Sequence, residues 1–282
     1  SERLDLIDLS TALRHLHLPP LDADVTALNN AASSAHRAVV FDELFYLQLG
    51  MSIRRRSMVK EDGLSIVPGP LVRQLHDVLP FRLTGAQERV LDTIFHDMAA
   101  PHPMNRLVQG DVGSGKTIVA FCAAMAALDS GYQVAFMAPT ELLAEQHYRT
   151  LKPLADKLEV SITMLTGEIK PQQKREIYNL LEQGKVEIAV GTHALIQENV
   201  RFHRLGLAII DEQHRFGVMQ RAALKRLGAN PDMLLMTATP IPRTLALTIY
   251  GDLDVSAIDE LPPGRKPVAT RVFHEGDRPH AA

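Results

Sequence analysis

Cysteine is almost missing from this sequence: the 282 residues contain one, Cys122. A single thiol closes no intramolecular disulfide and builds no cysteine-rich zinc site, so a disulfide-stapled scaffold is excluded. Tryptophan is absent and aromatic residues make up 5%, which leaves few flat side chains for stacking nucleobases. No apolar run approaches the roughly 20 residues that a membrane-crossing helix needs. The opening residues, SERLDLIDLS, lack the basic stretch and following apolar stretch of a secretory signal. A cytoplasmic protein without a membrane partner is the expectation. Charge of one sign is also lacking, with 30 basic against 33 acidic residues and a net charge of −3. Bulk charge therefore does not advertise nucleic-acid binding, although a local basic surface is compatible with it.

What is present is ordinary for a globular chain: 46% apolar and 22% charged residues. The length points to about two units, or one large domain with an appendage. Residues 1–80 read as a helical arm preceding the main domain. Within them, 1–33 are loop with short helical pieces around Pro19 and Pro20. Val40, Leu44, Leu47 and Met51 then repeat at helical spacing, widened by Phe41 and Phe45, and predict a helix over 35–56. It ends in Arg54, Arg55 and Arg56, which suit the negative end of the helix dipole. The apolar stripe is expected to pack against the main domain. Gly63 and Pro68-Gly69-Pro70 break the chain. Leu71, Val72, Leu75, Val78 and Leu79 give a second amphipathic helix closed by Pro80.

From residue 81 the texture changes, and 81–265 read as one domain. Short apolar runs at 106–109, 133–138, 161–165, 187–190, 207–210 and 233–237 alternate with helical patterns at 85–99, 116–130, 141–158, 171–183, 215–228 and 243–250. Alternation of this kind, with nearly continuous apolar strands, predicts an α/β fold: a parallel sheet with helices on both faces. Residues 251–267 hold Gly251, Pro262-Pro263-Gly264 and Pro267 and read as a linker. A lone strand is predicted at 268–273, and 266–282 read as the linker and the start of a further lobe. Cys122 falls in the apolar helix at 116–130 and is expected to be buried.

Three motifs carry chemistry. Gly110-Asp111-Val112-Gly113-Ser114-Gly115-Lys116-Thr117 follows a predicted strand and opens a predicted helix. This is the phosphate-cradling P-loop context, in which glycines let the backbone wrap a phosphate and the helix N-terminus favours negative charge. Lys116 would reach the β- and γ-phosphates of ATP, and the Thr117 hydroxyl would ligate Mg2+. The second motif, Asp211-Glu212-Gln213-His214, ends the apolar run 207–210. An acid at the carboxyl end of a parallel strand faces the crevice where ligands bind. Asp211 would help hold Mg2+, and Glu212 would orient and deprotonate the attacking water. The third is Thr237-Ala238-Thr239-Pro240. Its hydroxyls could register the phosphate, or Thr239 could simply cap a helix that has Pro240 at its first position.

In this order the three motifs resemble motifs I, II and III of superfamily 2 helicases. The longer phrases FRLTGAQ, APTELLAEQHY, VGTHALIQ, DEQHRFGVMQR, MTATPIPRTLALTIYGDLDVS and LPPGRKPVAT resemble the RecG family of that superfamily, strongly over 81–272. The resemblance implies a RecA-like fold for the parallel sheet. The implied activity is ATP-dependent translocation on double-stranded DNA, remodelling forks and Holliday junctions in recombination and repair. The implied protein works as a monomer, and its parent's partners extend to a single-strand-binding protein. Carried over by position, Phe81, Thr84 and Gln87 would meet the adenine. Gln213, His214, Thr237 and Thr239 would couple the nucleotide site to the other lobe. Pro139, Thr140, Glu141, Gln146, Gly191, Thr192 and His193 would face the DNA backbone. Read from the residues alone, Thr84, Thr140 and Thr192 are helix N-caps and Gln87 is a solvated helix residue. The family's second lobe, with its phosphoryl-stabilising arginines, and its wedge domain find no counterpart in the sequence. The expectation is a fragment that binds MgATP and hydrolyses it poorly. Two other readings stay open: a transcription-repair coupling translocase, which shares several of these phrases, and a nucleotide-dependent DNA-binding module without motor activity.

Overall fold

All six predicted strands form, and a seventh joins them in the computed structural model, which describes residues 4–58, 62–211, 224, 227–239 and 253–262. The strands are β1 (Asn105–Gly110), β2 (Gln133–Met137), β3 (Ile162–Leu165), β4 (Ile188–Gly191), β5 (Leu205–Ile210), β6 (Asp232–Thr237) and β7 (Asp254–Ile258). They pair in the order β3-β4-β2-β5-β6-β1-β7, and each pairing is parallel. The helices are α1 (Leu9–His17), α2 (Val25–Asn29), α3 (Ser34–Met58), α4 (Pro70–Val78), α5 (Gly85–Met98), α6 (Lys116–Asp129), α7 (Glu141–Lys157) and α8 (Pro171–Glu182), with a 3-10 turn at His193–Ile196.

The period-2 alternation of side chains explains why the strands read as continuous apolar runs. Val108, Val134, Phe136, Ile188, Val190, Leu207, Ile209, Leu234 and Met236 enter a core shared with α4, α5, α6 and α7. Their strand neighbours Leu107, Ala135, Met137, Ala189, Ala208, Ile210, Met233 and Leu235 enter a second core, covered by Leu181 of α8 and Ala194 and Leu195 of the 3-10 turn. Neither face is left for water, so neither register needs polar residues.

Strand β7 corrects the linker reading of 251–267. Its sequence, DVSAI, is only partly buried along most of its length, with Ile258 the buried member. An edge strand of this kind shows no apolar run, and the prolines just beyond it dominate the composition. Its backbone nevertheless pairs with β1 from Arg106↔Asp254 to Gly110↔Ile258. The helices predicted at 215–228 and 243–250, and the strand at 268–273, lie outside the described residues apart from isolated positions; one of these, Leu224, is buried in the second core.

Helix α6 is apolar all round, as a helix sunk in a core must be. Every residue from Val119 to Leu128 is buried, Cys122 included, and burial pushes the Cys122 thiol up to about 12. At its far end Asp129 accepts from the backbone N–H groups of Gly69 (2.7 Å), Leu71 (2.9 Å) and Val72 (3.3 Å). Those are the otherwise orphaned donors at the start of α4. One carboxylate thus bolts the segment before the domain onto its central helix.

The arm departs from expectation. Its buried cluster is Ala12, Ala35 and Ala38, where α1 lies against α3. The predicted stripe does not pack on the domain. Val40 (52%), Leu44 (50%), Leu47 (41%), Phe41 (38%) and Phe45 (48%) are exposed. Periodicity identifies an apolar face but carries no information about what covers it; the alanines allow the closer approach, and α1 takes that side. The side chains of Arg54–Arg56 lie outside the described residues.

Two outcomes follow from the packing. Asp129→Ala should lower unfolding free energy by about 1–3 kcal/mol, since it orphans buried or half-buried donors; urea denaturation reads this directly. Asp232 is fully buried at the start of β6. Its Oδ1 accepts from Met104 N at 2.7 Å, and its Oδ2 has no partner. Burial pushes its carboxyl up to about 8, with the charge of Asp97 adding to the rise and the Met104 bond opposing it. The folded state therefore holds a proton that the unfolded state releases near 3.8. Its contribution is complete below that pH and is lost as pH climbs toward 8, with a slope of at most about 1.4 kcal/mol per pH unit. Asp232→Asn should flatten the pH dependence of the urea midpoint between pH 4 and 8; an unchanged slope would show that Asp232 is ionised in the fold.

Candidate nucleotide site

The carboxyl ends of β4, β2, β5, β6 and β1 lie side by side at one rim, and the predicted site segments other than that at Phe81–Gln87 leave from them. At β1 the chain enters the P-loop and then α6. Gly113 (φ 80°) and Gly115 (φ 85°) take the left-handed conformation, which side chains disfavour. A Cβ on Gly115 would also collide with Gln87 Nε2. No side chain caps α6, so its N-terminus turns its backbone dipole toward the loop. Val112 N donates to Asp111 Oδ1 at 2.7 Å, and Ser114 N to Asp111 O at 3.1 Å. Lys116 Nζ donates to the carbonyls of Gly110 (2.7 Å) and Asp111 (2.9 Å). The ammonium therefore arches back over its own loop. Ser114 Oγ is buried without a hydrogen-bond partner.

The segment expected to meet adenine sits directly behind this loop. Thr84 caps α5 in a reciprocal box: Gln87 N donates to Thr84 Oγ1 (3.3 Å), and Thr84 N donates to Gln87 Oε1 (2.8 Å). The capping reading of Thr84 is borne out. Gln87 is not the solvated residue that the helix pattern implied. It is buried, and its Nε2 donates to Ser114 O at 2.8 Å. Its amide thus supports the P-loop from below. Phe81 is exposed. The residues after β7 close on the same helix end: Glu260 Oε2 accepts from Ala86 N (2.9 Å), and Asp259 pairs with Arg89 (3.2 Å). Sequence gave no signal for this pairing, because the partners are far apart in the chain.

Asp211 follows the last residue of β5 and is buried; its N donates to Met137 O at 2.9 Å. Thr237 ends β6. Its Oγ1 lies 2.9 Å from Thr239 Oγ1 and accepts from Thr239 N at 3.2 Å, so the Thr-Ala-Thr box folds on itself. Two strand spacings, about 10 Å, separate the ends of β5 and β1. A cavity of about 200 Å3 lies between the loop and the box, lined by Gln109, Gly110, Asp111, Ala238, Ala257 and Ile258. Glu212, Gln213 and His214 lie outside the described residues, as does Pro240.

The predicted DNA-side residues leave the neighbouring strand ends. Thr140 caps α7, accepting from Leu143 N at 3.3 Å, and Glu141 Oε1 accepts from Gly167 N at 2.6 Å. Gly191 ends β4 where a Cβ would strike the Leu165 carbonyl. Thr192 corrects its N-cap reading: it makes no capping bond, and its hydroxyl is buried without a partner. His193 opens the 3-10 turn.

One residue escaped the sequence reading. His147 Nε2 lies 2.7 Å from Asp211 Oδ2, with its ring 4.8 Å from that of Phe136. It stands in the buried stripe of α7, with Ala144, Leu151 and Ala155. A lone histidine in such a stripe was the available signal, since a buried polar side chain requires a partner.

Comparison with known proteins agrees with this geometry. A RecG ATP-dependent DNA helicase from Synechocystis sp. is 53% identical over 280 residues, which are 99% of this chain and 33% of that protein. The Aquifex aeolicus RecG is 48% identical over 280 residues, 98% of this chain and 35% of that one. The chain therefore spans about a third of the length of the relatives it matches. A structure of RecG bound to a three-way DNA junction superposes with a TM-score of 0.80 at 42% identity, covering 95% of this chain and 35% of that one. The DEAD-box helicase Mss116 bound to single-stranded RNA shares the fold alone, at 17% identity and a TM-score of 0.51 over 68% of this chain and 43% of that one. The DEAD/DEAH box helicase pattern matches residues 84–248, and this chain belongs to that family.

Proposed function

We propose that this chain is the ATP-binding part of a DNA translocase that remodels branched double-stranded DNA, at forks and Holliday junctions, in recombination and repair. The observation that carries this reading is the convergence of P-loop, Asp211 carboxylate and Thr-Ala-Thr box on three adjacent strand ends. The likeness to RecG relatives at about half identity supports the choice of substrate.

The residues present fit MgATP. Left-handed Gly113 and Gly115 give the loop the tight curvature with which a backbone wraps a phosphate, and the buried Ser114 hydroxyl lacks a partner. A phosphate would draw the Lys116 ammonium away from two neutral carbonyls, because charge-assisted bonds are the stronger ones. Among the described residues no group of three or more His, Cys, Asp or Glu side chains is placed to hold a metal. Mg2+ would instead be held by the Thr117 hydroxyl and Asp211, with the remaining ligands from phosphate and water, the usual habit of this ion. When bound, it neutralises phosphate charge. Lys116 does the same from the loop side, and Glu212 takes the proton of the attacking water as it meets the γ-phosphate in line.

Gln87 acts by setting the height of the P-loop as well as by presenting an amide near the adenine. Thr140, Gly191, Thr192 and His193 flank β5 on the side away from β1, so the DNA track runs beside the metal-holding acid rather than over the P-loop. The protein works as a monomer, with a single-strand-binding protein among its parent's partners.

Titration with a fluorescent ATP analogue, followed by turnover with and without forked DNA, tests the reading. Lys116→Ala should weaken MgATP binding by about 10–100-fold, the worth of hydrogen bonds to a charged group. Glu212→Gln should preserve binding and lower any turnover by about 10²–10⁴-fold. Unchanged binding by Lys116→Ala would overturn the assignment.

A further inference from the structure

We propose that His147 is a positioning residue for Asp211, fixing the orientation of the carboxylate that would help hold Mg2+. The inference rests on the nucleotide reading above and deepens it. An ionised carboxylate only accepts hydrogen bonds, so His147 Nε2 carries the proton and donates to Oδ2. The 2.7 Å separation is that of a strong, charge-assisted bond. Both residues are buried, His147 at 7% and Asp211 at 9% exposure, so little water competes for either. The imidazole is itself held in place. It sits on the buried face of α7 with Ala144 and Leu151, against the Phe136 ring of β2, the strand beside β5.

Packing alone does not call for histidine here. The other buried positions of this face, Ala144, Leu151 and Ala155, are aliphatic, and an aliphatic side chain would complete the stripe without burying a polar ring. What histidine adds is a donor that reaches from α7 to the carboxylate just past the end of β5. With Oδ2 held, rotation about the Asp211 Cβ–Cγ bond is restrained and the carboxylate plane has one setting. Carboxylates that ligate metals are themselves hydrogen-bonded in this way, and loss of the outer partner typically costs about 10–100-fold in metal affinity. The carrier helix is the one whose first residues, Thr140 and Glu141, stand at the predicted DNA side. Asp211 is therefore aimed by an element outside the P-loop unit.

The test compares His147→Gln, whose amide nitrogen reaches the position of Nε2, with His147→Asn, whose amide stops short of it. Binding of a fluorescent ADP analogue to the whole chain is titrated with Mg2+ and with EDTA, and the dissociation constant in EDTA divided by that in Mg2+ is the readout. The expected result is that His147→Asn lowers the ratio by about 10-fold while His147→Gln keeps it within about threefold. In an Asp211→Asn background, His147→Asn should change nothing further. Equal ratios in both variants, whether both unchanged or both reduced, would overturn the proposal, because a purely structural role does not distinguish the two amides. Should His147→Asn fail to fold, a folded His147→Gln decides alone: retention of the ratio supports the proposal and loss overturns it. If the unaltered chain shows no Mg2+ enhancement, or binds the nucleotide independently of Lys116, the nucleotide reading itself falls, which is a separate and recognisable outcome.

Discussion

Parallel strands cannot be joined by tight turns. Each return needs a crossover that lies on a face of the sheet. Seven parallel strands therefore demand cover on both faces, and the two cores on either side of the sheet answer that demand. The same constraint gathers every strand's carboxyl end at one rim. Chemistry is possible there because the rim is the place where backbone leaves the sheet. The P-loop, the Thr-Ala-Thr box, the Asp211 carboxylate and the turns at Thr140 and Thr192 are five consecutive exits from one sheet, in the spatial order β1, β6, β5, β2 and β4.

Helix α6 links the P-loop to the segment that precedes α4. Its first residues belong to the phosphate loop, and its last accepts three backbone N–H groups from the segment leading out of the arm. Between them it is buried on every side. Gln87 and Glu260 add a second brace from α5, one to the loop and one from the residues that follow β7. The loop thus adds to its own internal bonds a polar contact that originates outside it.

Much of this was legible because it is local. Continuous apolar strands, the glycine spacing at 110–115 and an acid at a strand end are properties of short windows. They located six strands, set the glycine loop between β1 and α6, and put Asp211 just after β5. What was not legible is pairwise. Strand β7 is an edge element with mixed burial, so nothing in Asp254–Ile258 separates it from loop until β1 is known to lie beside it. Gln87 read as solvated because a helix pattern cannot report the Ser114 carbonyl underneath. His147 stood in a recognisable stripe, but only the third dimension supplies Asp211. The exposed stripe of α3 is the converse case: its period was right, and its expected partner was wrong.

The strand that bears the P-loop is flanked by the two described strands that come last in the chain. β1 begins at Asn105, yet its neighbours start at Asp232 and Asp254, roughly 130 and 150 residues later, the kind of separation that slows folding. On the ribosome, β2 to β5 can assemble while β1 still lacks both of its ladders. The phosphate loop, though encoded early, is thus finished late. On the nucleotide reading proposed above, a newly made chain would hold a nucleotide only after β6 and β7 have emerged, and a bound nucleotide would favour the completed sheet over any partly assembled one.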